Sequence, residues 1–121
     1  MANEITMAAA LGVAAGSMNI SQSTTKQATP TTPGAVQRRQ TVPTADTVLT
    51  LTGVTTPRAV HITNMDSTNY IDIGPTSAGA IVEMVRLLAG ETCVFPLKPS
   101  TVLRGKANTA SVVIEMLIAE S

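Results

Sequence analysis

Aromatic side chains are nearly missing: Tyr70 and Phe95 are the whole complement, and there is no tryptophan. Stacking platforms for nucleobases or sugar rings need several such faces, so single-stranded nucleic-acid binding is poorly supported. Charge is scarce too, at 13% of residues against 44% hydrophobic, with eight basic side chains balancing eight acidic ones. No net field steers the chain toward nucleic acid or an anionic membrane. So little charge also leaves apolar surface unprotected, which favours a chain covered by other subunits and hence an assembly protein.

Cys93 is the only cysteine, so no intrachain disulfide and no cysteine-rich metal site can form. Alternating with Phe95 and Leu97, it reads as a small buried hydrophobe. His61 is the only histidine, set between Val60 and Ile62 and so directed away from their face. Metal binding or base catalysis would need convergent partners that the neighbouring sequence does not supply, which leaves a surface or subunit-contact role. No window approaches the roughly twenty apolar residues of a membrane-spanning helix. The run MAAALGVAAG at 7–16 resembles the centre of a secretion signal, but Glu4 stands where a basic start is required, so it reads as part of the mature chain.

The oxygen-bearing side chains Asn64, Asp66, Asn69 and Asp72 form the best cation candidate, yet their spacing is not that of an EF-hand loop, and turn capping by Asp66 and Asn64 accounts for them. Gly105-Lys106 lacks the earlier glycine and the helix start of a phosphate loop. Lys98, Arg104 and Lys106 lie close in KPSTVLRGK with no aromatic interleaving, as in a solvated rim. A hydrolase or sugar-binding domain would need a carboxylate pair and an aromatic platform. No catalytic, cofactor-binding or metal-binding residue is therefore assigned.

What is present is alternation. The stretch VHITNMDSTNYIDIG at 60–74 places Val60 and Ile62 on one face of a strand, then a polar turn, then Ile71 and Ile73 on one face of a strand that Gly74-Pro75 should stop. Two such faces predict a hairpin with a core side. Short runs recur at 36–42, 47–52, 58–63, 70–73, 81–88, 92–97, 101–104 and 111–119 with turn residues between them. Residues 81–88 also match a helix face, although the tight Ala89-Gly90 turn into 92–97 suits a hairpin. The architecture predicted is all-β: a small antiparallel β-sandwich or jelly-roll-like barrel with an extended N-terminal arm. The arm and its Thr/Pro linker span 1–34 and the sandwich 35–121. Within the arm, Ile5 to Ala9 and Met18 to Thr24 read as strands, although Ala8 to Ala10 with Leu11 also suit a short helix that Gly12, Val13 and Gly16 weaken, and TKQATPTTPGA at 25–35 reads as an extended connector. So polar an arm cannot offset the cost of ordering itself, so either its own sheet or another molecule should hold it, and the low apolar content favours the second.

The opening MANEIT, the central NMDSTNYIDIG, the AGETCVFPL segment and the closing KANTASVVIEMLIAES together resemble small bacteriophage virion structural proteins of the capsid decoration or cement kind. The AIVEMVRLL region and the short TPTTPGAVQRR connector depart from that pattern. The resemblance implies a β-sandwich on the capsid exterior of the virion, made in the host cytoplasm. It would bridge neighbouring major capsid proteins as a homotrimer, with no catalysis, no nucleic acid and no membrane. Ile5, Met18, Ile20, Arg38 and Arg39 are then the candidate partner contacts. A neck, tail or fibre-anchoring component is the alternative within the same class.

Overall fold

Period-two alternation carries through into the structure, because every regular element among the described residues is a strand. The computed structural model describes residues 5–28, 34–54, 56–98 and 100–120. In chain order the strands are β1 (Ile5–Ala15), β2 (Met18–Ala28), β3 (Ala35–Val42), β4 (Thr47–Val48), β5 (Pro57–Asn64) and β6 (Ile71–Ser77). They continue with β7 (Ala80–Ile81), β8 (Val85–Leu87), β9 (Thr92–Pro96), β10 (Leu103–Ala107) and β11 (Val112–Glu120).

β1 and β2 form a sheet of their own. The others make two antiparallel sheets. One has the order β3-β11-β5-β9; in the other, β4, β10 and β6 lie side by side, with β7 and β8 pairing successive stretches of β6. Counting β7 and β8 as one interrupted strand, this is the eight-stranded jelly-roll order, in which the chain changes sheet at each connection except the one after β6. The fold is thus the all-β sandwich expected, in its jelly-roll form.

The inner faces share one core. Along β11, Val112, Ile114, Met116 and Ile118 are buried while Val113 and Leu117 face out, as the pleat requires. Val60 and Ile62 from the same sheet meet Ile71, Ile73, Leu87 and Leu103 from the other. Each fully buried aliphatic side chain contributes about 1.5–3 kcal/mol, so this cluster sets the pairing of the two sheets. Cys93 packs at its margin, half-buried, and burial pushes its thiol pKa up.

Several expectations are corrected. Val60–Gly74 is not a hairpin: β5 pairs with β11 and β9, whereas β6 pairs with β10, β7 and β8. Its two apolar faces do look at each other, but across the core rather than side by side. The same holds at Ala89-Gly90, where β8 belongs to one sheet and β9 to the other. Gly74-Pro75 does not stop β6, which runs on to Ser77. Opposite those two residues the partner strand bulges at 82–84, with the amides of Val82 and Met84 donating to the carbonyls of Pro75 and Ile73. The real reversal follows at Ala78 and Gly79, both at positive φ, as a two-residue primed turn requires. Segment 81–88 holds parts of β7 and β8 and no helix.

Candidate functional site: the hairpin arm

The leading part of the chain is a hairpin of two 11-residue strands. Ala15 pairs with Met18 around Gly16-Ser17, and Gly16 has φ 60°, the glycine-first arrangement of a two-residue type II′ turn. Part of the 25–35 connector is therefore strand, since β2 runs to Ala28; residues 29–33 lie outside the described residues. Register fixes the two faces. Met7, Ala9 and Leu11 share one face with Thr24, Gln22, Ile20 and Met18, while Thr6, Ala8, Ala10, Gly12 and Ala14 share the other with Asn19, Ser21, Ser23 and Thr25.

The first face is apolar and open to solvent. Leu11 is 73% exposed, Ile20 62% and Met18 52%. Near its root the arm lies against the sandwich: Met7 and Ala9 line a cleft of about 300 Å³ with Val94, Phe95 and Pro96 of β9, and Thr6 and Met7 line a second cleft with Ala59, His61, Leu117 and Ala119. Of the predicted contacts, Met18 and Ile20 thus stand together on this face. Ile5 opens β1 opposite Ala28; its side chain lies outside the described residues.

Arg38 and Arg39 belong to β3 rather than to the arm, and the pleat points them to opposite faces. Arg38 turns inward and donates to the Thr52 carbonyl at 2.7 Å, holding down the segment that follows β4 beside Gln40, which brackets Val48 and Thr50. Arg39 faces out and pairs with Glu115 at 3.0 Å, an exposed pair of small energetic weight. Several other charged groups are paired as well. Arg86 binds Asp72 through two nitrogens at 2.7 and 3.0 Å and lies 4.0 Å over the Tyr70 ring; its partner keeps the guanidinium pKa raised. Arg104 meets Asp46 and the Thr76 hydroxyl, and Lys106 stands 3.9 Å from Glu83. His61 faces outward, 3.1 Å from the Thr92 hydroxyl. Among the described residues, no group of three or more His, Cys, Asp or Glu side chains converges as metal ligands would.

The polar turn after β5 behaves as capping predicts, with one addition. Asp66 Oδ2 accepts from the amides of Asn69 and Thr68, which hold its carboxyl below the ordinary carboxylate range. Asp46 is lowered in the same way, first by the Ile81 amide and then by Arg104. The addition is Asn64, fully buried, whose amide nitrogen donates to the carbonyls of Asn69 at 2.9 Å and Leu87 at 3.0 Å while its oxygen accepts from the Asp66 amide. Its backbone closes the contact, taking the Glu91 carbonyl and serving the Gly90 amide. Nothing in the sequence marked this asparagine as a buried link between two crossings; only its place after the alternation Val60, Ile62 set it on the inner face.

The depressed carboxylates give a pH prediction. A group whose folded pKa is lowered contributes stability that is complete above its unfolded value near 4 and is lost as pH falls through the lower folded value. The melting temperature should therefore hold level from neutral pH down to about 4–5 and then decline. Asp66→Asn, which keeps an acceptor for the two amides but cannot titrate, should make that decline shallower; thermal melts from neutral to strongly acidic buffer check it.

Compared with known protein families, curated proteins and solved structures, the chain matches none, so its reading rests on the arm and the sandwich themselves.

Proposed function

We propose that the protein is a bacteriophage virion structural protein that decorates the capsid exterior, bridging neighbouring major capsid proteins as a cement, without catalysis. The observation that carries this reading is the arm: a hairpin standing off the sandwich, with Leu11, Met18 and Ile20 presented to solvent on one face. A lone two-stranded hairpin is marginal in water and needs a surface to lie on. A neighbouring shell subunit supplies one, and specific interfaces of this sort bury on the order of 1,600 Å² in total. Repeated over a shell, even modest contacts of each copy add resistance to internal pressure. The scarcity of charge agrees, as does the jelly roll, an architecture that also serves unrelated functions and so supports the reading only at the level of fold.

The test is co-sedimentation with expanded shells. The double variant Leu11→Ser with Ile20→Ser, which leaves the sandwich core untouched, should weaken binding at least ~10-fold, because two apolar anchors are lost. Undiminished occupancy would remove the arm from the account. A labelled copy found on the tail axis instead of the shell face would move the protein to the neck or tail.

A further inference from the structure

We infer that the outer edge of β1 is a self-association site, at which two copies of the chain join by antiparallel pairing of β1 with β1 about a two-fold axis near Ala10. The argument begins with how the other edges are finished. Exposed strand edges invite pairing with another chain, and proteins blunt them with charge, proline, bulges or brevity. In the sandwich each edge carries such a device. β3 has the inward-pointing Arg38 beside Arg39. β4 is two residues long, β9 ends in Pro96, and the edge made by β7 and β8 is broken by the bulge at 82–84.

β1 has none of these. Its sequence, ITMAAALGVAA, runs 11 residues without a charge, a proline or a register shift, and among the described residues it pairs with β2 alone. β2, by contrast, carries Lys26. The pair that closes a two-residue turn is hydrogen-bonded, and such pairs alternate along an antiparallel ladder. Counting back from Ala15 and Met18, the residues whose N–H and C=O point away from β2 are Ala14, Gly12, Ala10, Ala8 and Thr6. All have small side chains.

A two-fold axis through Ala10 sets Ala8 against Gly12 and Thr6 against Ala14, forming up to roughly ten backbone hydrogen bonds. No like charges meet, so the edge is complementary to itself, as a two-fold interface requires. Because that axis stands perpendicular to the sheet, the apolar faces of the two hairpins fall on the same side and merge into one platform. The pairing uses the edge and leaves Leu11, Met18 and Ile20 free, so it does not depend on the shell-binding reading.

The experiment is sedimentation velocity of the full chain over a wide range of concentration, with no shells present. Ala10→Pro removes an outward N–H and spares the β1–β2 ladder, and Ala10→Lys places a charge at the axis. Each is expected to raise the dissociation constant of the self-associated species at least ~30-fold, with loss of the paired hydrogen bonds on both sides of the axis. In the unaltered chain, the amides of Ala8, Ala10 and Gly12 should be protected from hydrogen exchange only in the associated species, a readout that does not depend on either variant folding. A single-copy mass at every concentration, wild-type association in either variant, or unprotected amides at those three positions in the associated species overturns the inference.

Discussion

Replacing Asn64 with leucine is expected to lower the melting temperature by roughly 15 °C, from a loss of about 4 kcal/mol at about 4 °C per kcal/mol for a domain of this size. Leucine keeps the branched four-heavy-atom skeleton of asparagine but ends in bulkier methyl groups, so crowding at this buried position accounts for only part of the loss. The rest arises from hydrogen bonding. Three side-chain bonds vanish together, to Asn69, Leu87 and Asp66, and the Leu87 carbonyl is left buried without the donor that reached it from Asn64. A buried polar group deprived of its partner carries the desolvation penalty that the bond had offset. Asn64→Asp separates this account from simple crowding. It keeps the acceptor for the Asp66 amide but buries a charge, so it should be the worse variant at neutral pH and recover in part on acidification, when the protonated carboxyl regains an O–H donor. Thermal melts of both variants decide the matter; a leucine variant within about 1 kcal/mol of the unaltered chain would mean the crossing does not need its asparagine.

The second large effect is expected at Gly74. A methyl group there would overlap the Val82 carbonyl oxygen, which sits over the glycine because the partner strand bulges toward it. Backbone rather than a pliable side chain is in the way, so the bulge itself must move and break the bonds from Val82 and Met84. Gly74→Ala should cost at least ~3 kcal/mol. Gly79→Ala makes the comparison. Nothing lies within 4 Å of that position, but its φ of +78° is one that a side chain disfavours, so the cost should be only about 1–2 kcal/mol. Denaturant midpoints measured side by side check the order; equal losses would mean that the close approach at Gly74 is relieved without breaking the bulge.

Strand existence was legible in the sequence because alternation reports which side chains point the same way. Val60, Ile62, Ile71 and Ile73 were placed on the core face correctly, and so was the turn chemistry of Asp66. What alternation does not report is which sheet a strand joins. Two apolar faces aimed at one core are satisfied equally by adjacent strands and by strands on opposite sides, and the connection from Met65 to Tyr70 is long enough for either. Gly74-Pro75 misled for a related reason: a proline removes one donor, but at a bulge that donor is not needed. In the arm, Met18 and Ile20 were visible as a stripe, whereas the pairing that joins them to Leu11 depends on the Gly16-Ser17 turn and the register it sets. Arg38 and Arg39, adjacent in sequence, looked like one basic feature; the pleat sends one inward to brace a loop and the other outward to Glu115.

The position of β11 has a consequence for biosynthesis. It lies between β3 and β5, yet of these strands it is the last to leave the ribosome. Until it arrives, β3 has no neighbour within its sheet, β5 has only β9 at its side, and Val112, Ile114, Met116 and Ile118 are missing from the core. Most contacts within the sandwich join residues far apart along the chain, so its maturation should be slow and must follow translation of β11. A stalled or shortened polypeptide would accordingly be a sticky intermediate that the quality-control machinery of the producing cell must hold or destroy.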